Sequence, residues 1–348
     1  MNPTSIPMRD IDRQIWESEL EDFVPARIYD AHAHLFRADL DLSPEPDSPG
    51  RRLAARGFAE AGMALWQAWN AALFPGREVH GSCMGFPFVH ADLAGMNAFL
   101  VEQVREDAGS AALMLVRPGM TPDEVDAFVR ANGVIGLKPY RVYSATGDVV
   151  DCRITDFLPE ELIEVAEEHR LVVVLHLARR RAAADEQNLA DLRRLSRRYP
   201  HVQWQLAHCA RCFIPHFLEL AIGPLSELEN VWFDTSAVCE SDVFDVLLRR
   251  GPRERVMFGT DNLPAGVDRG KYIAFGYAWA LLTEDNHRFD LSHCQPDPTW
   301  VVYESLRGLR RAAERNGLTP AEIEGLFYDN AMRLRGLLGR RSSQVTVT

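Results

Sequence analysis

Eight short apolar runs, most of them separated by helix-patterned stretches, constrain the fold more than any other feature of this chain. They lie at residues 28–34, 85–90, 111–116, 134–138, 171–175, 202–207, 231–233 and 255–260. Such alternation is the signature of repeated βα units, and eight of them make a (β/α)8 TIM barrel. The run over 171–175 is apolar throughout, as a parallel strand covered on both faces requires. Pro87 weakens the second run, because proline has no amide hydrogen to give a strand ladder. Helical spacing is read over 92–106, 158–170, 185–198, 301–316 and 320–338. Another helix opens at Thr121-Pro122-Asp123-Glu124, an N-cap followed by proline and acidic residues.

The polar residues that end these runs form a pattern of their own. His32 and His34 are two residues apart on the first run, so strand alternation sets both imidazoles on one face. Two neutral imidazoles meeting at one point make half of a transition-metal site. Later runs end at His176, His208 and Asp261 in that order. The chemistry of such barrels gathers at the carboxyl ends of the strands, which is where all these residues fall.

With 348 residues and 47% hydrophobic content the chain can bury one large core. We therefore expect a single domain over 1–348, with the barrel over 22–338 and extra C-terminal helices. Residues 37–82 read as a long insertion after the first strand, either a lid over the site or a helical piece packed on the barrel. A second long connection spans 262–298, and the polar tail over 340–348 is expected to be disordered. The net charge of −12 argues against nucleic acid as a partner, since that grip needs a basic surface. No apolar run reaches the ~18 residues of a membrane span. The first 21 residues are polar and acidic, unlike a secretory signal, so a cytoplasmic location is expected.

Six scattered cysteines fit reduced thiols in that compartment. Cys209 and Cys212 form a Cys-x-x-Cys without the second pair a structural zinc site would want, and read as small buried thiols. His80, His90, His201, His216, His287 and His293 are taken as core or surface residues, His90 being nearest a strand end.

The segments Asp30-Ala31-His32-Ala33-His34, Leu175-His176, Leu206-Ala207-His208 and Phe258-Gly259-Thr260-Asp261 resemble the amidohydrolase superfamily. They look most like its amidohydrolase-related (amidohydrolase 2) branch of metal-dependent hydrolases and decarboxylases. Residues 230–236 and 329–334 are similar to that branch's strand-seven and C-terminal helix segments, so the resemblance spans about residues 28–338. It implies that His32, His34, His176 and Asp261 bind a divalent metal, zinc first and manganese or iron as alternatives, as one or two ions. Three imidazoles and a carboxylate suit those metals better than calcium or magnesium, which prefer oxygen. His208 would be a second-metal ligand or a catalytic group facing substrate. Lys138, at the end of the fourth run, would be a carboxylated bridging ligand, a substrate contact or a salt-bridge partner.

The first functional reading is hydrolysis of a small carboxylate-bearing lactone, amide or ester. The ion would activate water, Asp261 would take its proton, and the ion with His208 would stabilise the oxyanion. Arg179 and Arg211, each three residues beyond a histidine, are candidate substrate clamps, as are Tyr140, Arg141 and Tyr143 after Lys138; each arginine has a surface charge or barrel salt bridge as its alternative. The second reading is non-oxidative decarboxylation on the same scaffold. There the metal and His208 would activate an unsaturated acid for protonation at carbon. The third is a non-catalytic binding barrel, which the complete set of strand-end ligands disfavours. Barrels of this kind often pair as homodimers, and no interface stripe is legible here.

Overall fold

The computed structural model describes residues 6–339; the tail read over 340–348 lies outside them. Eight strands follow one another around the barrel in chain order. They are β1 (Arg27–His34), β2 (Glu78–Met84), β3 (Ala111–Val116), β4 (Gly136–Pro139), β5 (Val172–Leu175), β6 (Gln203–Leu206), β7 (Val231–Asp234) and β8 (Val256–Met257). Every neighbouring pair is parallel. The last seam closes where Ala31 N donates to Phe258 O and Asp261 N to His32 O, both at 2.9 Å.

The main outer helices are α1 (Met63–Leu73), α2 (Leu93–Val104), α3 (Pro122–Asn132), α4 (Glu160–His169), α5 (Glu186–Arg198), α6 (Pro215–Ser226), α7 (Ser241–Arg250) and α8 (Val301–Arg315). The start of α3 shows why these boundaries fall where they do. Thr121 accepts from Glu124 N at 3.2 Å while Glu124 reaches back to Thr121 N at 2.8 Å. The helix stops at Gly133, whose φ of 63° suits a residue without a side chain. Thr121→Ala is expected to lower unfolding free energy by about 1 kcal/mol; urea melts showing no loss would mean the cap is idle.

Two layers of apolar packing result. The larger lies between strands and helices. The smaller fills the barrel with Tyr29, Ala31, Met84, Leu113, Val172, Val174, Trp232 and Met257, and Ala331 and Leu334 pack against it. The parity of β1 matters for function. Tyr29 and Ala31 belong to the inner cluster, so simple alternation would turn His32 and His34 outward. A register shift between Asp30 and Ala33 interrupts the β1–β2 ladder there. This bulge re-aims the strand end, so both histidines turn toward Asp261 and Ala33 packs in the outer core.

The structure corrects several boundaries. The second strand is Glu78–Met84, not residues 85–90. Pro87 cannot complete a ladder, whereas Glu78–Met84 pairs with both β1 and β3 despite its polar residues. Of the stretch 37–82, residues 78–82 therefore belong to β2, and Met63–Leu73 is α1, with Trp66 and Trp69 in the core. The last strand is shorter than 255–260, since residues beyond Met257 turn toward the β1 seam. The 262–298 connection holds an unforeseen hairpin, β9 (Gly270–Phe275) and β10 (Ala278–Thr283). Its signal was present in Phe275-Gly276-Tyr277-Ala278, where the two-residue turn places Gly276 at φ 57°. Residues 320–338 form two short helices joined by a wider turn.

Candidate active site

At the carboxyl ends of the strands, His32, His34 and Asp261 form a compact group whose ligand atoms lie within 4.8 Å of one another. His34 Nδ1 is 3.1 Å from Gly85 O, and a carbonyl only accepts, so Nδ1 carries the proton. Its Nε2, the lone-pair nitrogen of that tautomer in the neutral ring, stands 3.3 Å from Asp261 Oδ1. His32 Nδ1 faces Asp234 Oδ2 at 3.1 Å, and its Nε2 is 3.6 Å from the same Asp261 oxygen. Burial, with Lys138 nearby, pushes His32 down to about 4, so the ring is neutral at pH 7. With both rings neutral, two imidazole lone pairs and a carboxylate oxygen face one another. This donor set fits a borderline transition ion such as zinc.

His176 is not in the compact group. It ends β5 beside His208, ring centroids 5.2 Å apart, and stacks on Tyr140 at 5.7 Å. Its Nδ1 is buried without a hydrogen-bond partner. Burial holds its pKa well below the ordinary value, helped by His208, Arg211, Lys138 and Arg141. Its ring is therefore neutral.

His208 begins four consecutive residues in left-handed conformation, with φ of 58°, 51°, 60° and 57° through Arg211. Asp261 is also left-handed at φ 61°. Each such residue costs about 1–2 kcal/mol, strain of the kind that clusters at functional sites. The turn sets the His208 ring 5.0 Å from that of His32 and carries Arg211 into the same region.

Lys138 is fully buried on β4, with Nζ 3.4 Å from His32 Nε2 and 4.8 Å from the Tyr140 ring centroid. Burial pushes it down to about 8. Among the described residues no carboxylate forms an ion pair with it, so the salt-bridge alternative for this lysine is not what the structure shows.

The arginines separate. Arg179 is held by Asp185 at 2.6 Å and by the carbonyl of Asp151 at 2.5 Å, which takes it out of the clamp set. Arg179→Ala is expected to leave substrate KM within about twofold and to cost less than about 1 kcal/mol of stability; a large KM rise would restore it. Arg211 donates to Arg179 O at 2.7 Å, but its Nε is buried without a partner. Burial, and then Arg141, push Arg211 down to about 10. Arg141 donates to Val149 O. Neither has an acidic partner among the described residues. Tyr143 gives its hydroxyl to Phe88 O at 2.9 Å and is structural, and His90 is exposed. Cys209 and Cys212 are buried free thiols.

Sequence reasoning assigned no role to Asp30, Gln205, Asp234 or Ser236. Asp30 accepts from His32 N and Thr260 N at 2.9 Å each, tying β1 to the segment that carries Asp261. Burial pushes it up to about 7. Asp234 shared with Asp261 the position of an acid at a strand end, which was its one available signal.

A parallel eight-stranded barrel with histidines and a carboxylate at its strand ends is the architecture of the amidohydrolases. Residues 29–337 match the sequence profile of the Amidohydrolase family (Amidohydro_2), and the chain belongs to that family of metal-dependent enzymes. No curated protein matches the chain. Among solved structures it is similar to a protein from Pseudomonas putida described as a 2-pyrone-4,6-dicarboxylic acid hydrolase, at 18% identity and TM-score 0.55 over 90% of this chain and 99% of that one. It is similar at 13% identity and TM-score 0.55 to 2,6-dihydroxybenzoate decarboxylase solved with 2,6-dihydroxybenzoate, covering 90% and 99%. An amidohydrolase from Burkholderia multivorans with bound zinc matches at 16% identity and TM-score 0.52, covering 89% and 99%. At these identities the likeness establishes the fold.

Proposed function

We propose that this chain is a metal-dependent hydrolase of a small carboxylate-bearing lactone, amide or ester. The observation that carries the reading is the meeting of the two imidazole Nε2 atoms with the Asp261 carboxylate, in a site region that also holds Arg211, which has no acidic partner among the described residues. His32, His34 and Asp261 would hold the ion, with His176 as the fourth protein ligand. A divalent ion there, zinc by its donor set, would supply a Lewis acid and lower the pKa of water from about 15.7 toward 7. Asp261 is the proton acceptor of the attacking water. Burial raises this carboxyl, but the surrounding imidazoles, His34 first, hold it below the ordinary carboxylate range, so it is ionised. His208 carries a proton on Nδ1, because both partners there accept hydrogen bonds, and its Nε2 would act as a second proton acceptor. Arg211 and Arg141 would orient the substrate carboxylate, and Lys138 and Tyr140 would line its path to the ion.

Decarboxylation is the second reading, favoured by the rings around the histidines. Tyr140 stacks on His176, Phe86 lies 5.8 Å from His34 and Phe213 5.9 Å from His208, a wall suited to a planar unsaturated acid. Among the described residues no helix is long and apolar enough to cross a membrane.

A panel of carboxylate-bearing lactones, amides and esters, run beside aromatic carboxylic acids with release of CO2 followed, separates the readings. Turnover in the first set that depends on added metal supports hydrolysis. CO2 release alone moves the assignment to decarboxylase. Neither, in a metal-replete protein, contradicts both.

A further inference from the structure

Asp234 is fully buried at the end of β7, and hydrogen bonds converge on both of its oxygens. Oδ2 accepts from Gln205 Nε2 at 2.7 Å and faces His32 Nδ1 at 3.1 Å. Oδ1 accepts from His208 N at 3.0 Å, Ser236 N at 3.2 Å and Ser236 Oγ at 2.5 Å. A carboxylate in this setting has no hydrogen to give, so His32 Nδ1 carries its own proton and Nε2 is left bare. Lys138 Nζ, a donor 3.4 Å from that Nε2, agrees with this assignment.

The second branch is indirect. Ser236 Oγ directs its only hydrogen to Asp234, so toward His208 it can only accept. His208 Nδ1 lies 2.9 Å from that hydroxyl and 3.1 Å from Ser236 O, which also only accepts. Nδ1 therefore carries a proton here as well, which in the neutral ring leaves Nε2 as the lone-pair nitrogen.

We propose that Asp234 is a shared positioning residue: through one oxygen it sets the tautomer of the metal-ligand histidine His32, and through the other, by way of Ser236, it orients the proton acceptor His208. The proposal rests on the reading of His32 as a ligand. The structure thereby couples capture of the ion to alignment of the base, because no movement of Asp234 leaves either histidine untouched. An asparagine cannot do both. Its amide has one accepting oxygen, which the three donors on the Oδ1 side draw toward His208 and Ser236. The amide NH2 then confronts His32 Nδ1, and that ring must move its proton to Nε2.

The test compares Asp234→Asn and Ser236→Ala with the unaltered protein in two measurements. The first is zinc affinity by competition with a chromophoric chelator. The second is the tautomer of each histidine in 15N-histidine-labelled, metal-free protein, with His32 and His208 assigned by single substitutions. Asp234→Asn is expected to weaken zinc about 10–100-fold, the usual effect of losing a ligand's outer partner, and to move the His32 proton to Nε2. Ser236→Ala is expected to keep zinc affinity within about twofold and to shift the His208 Nδ1 signal alone. Equal weakening in both variants overturns the proposal, because it would mean these residues only pack the site. Unchanged zinc affinity and an unchanged His32 tautomer in Asp234→Asn also overturn it. Should that variant not fold, Ser236→Ala still decides: a fall in its zinc affinity rejects the shared anchor. Failure of the unaltered protein to bind zinc would sink the metal reading, while the tautomer measurement would still answer for Asp234.

Discussion

Asp261→Ala is expected to lose both the bound ion and catalysis while the barrel stays folded. The carboxylate faces His32 Nε2 at 3.6 Å and His34 Nε2 at 3.3 Å, so it is the acidic member of the compact ligand group. Its loss leaves only the imidazoles of His32, His34 and His176, which hold zinc more weakly than a set that includes an anionic ligand. Turnover should fall about 100–10,000-fold from the missing proton transfer alone, and further with the loss of metal. Stability should change little in the metal-free protein, since this carboxylate is one of several acceptors crowded into a buried site. The check is elemental analysis beside turnover and a thermal melt. Retained metal and turnover within tenfold of the original would remove Asp261 from the site.

Arg211→Met is expected to move stability and function in opposite directions. The guanidinium is largely buried with Nε unpartnered, and burial pushes it down to about 10. A group held there at a cost to the fold has a use elsewhere, and a substrate carboxylate would satisfy it bidentately. Methionine removes the desolvated charge, so unfolding free energy should rise by about 1 kcal/mol. KM should rise about 30-fold or more, the loss expected when one partner of a buried charge pair is truncated, with kcat and metal content changing far less. A variant that is destabilised with unchanged KM would show instead that Arg211 is a structural strut for the Arg179 carbonyl.

The contrast between Arg179 and Arg211 shows where sequence reasoning stops. Each lies three residues past a strand-end histidine, and nothing in that spacing distinguishes them. The structure does. Arg179 meets the helix-capping Asp185, while the left-handed turn from His208 carries Arg211 toward His176, where it meets no acid among the described residues. The strand-end residues were legible because barrel geometry converts chain order into a ring, so histidines after successive strands converge without further information. β5 was legible because a strand covered on both faces must be apolar throughout. β2 was not, because Glu78, His80 and Ser82 break its hydrophobic pattern; His80 meets Asp107 at 2.9 Å and Ser82 meets Tyr29 at 3.2 Å. Alternation placed His32 and His34 together on β1, but their turn toward Asp261 needs the bulge before Ala33, which no residue type announces. The tautomers lie further out of reach, since they depend on Asp234 and Ser236 approaching from another strand.

The proposed metal centre places a divalent ion between His32, His34 and Asp261. Its most direct test is elemental analysis of protein stripped with chelator, reloaded with zinc and dialysed, beside His34→Ala treated in the same way. At least about one zinc per chain is expected in the unaltered protein and close to none in the variant. An unaltered protein that keeps no zinc, manganese or iron, or a variant that keeps as much as its parent, would contradict it.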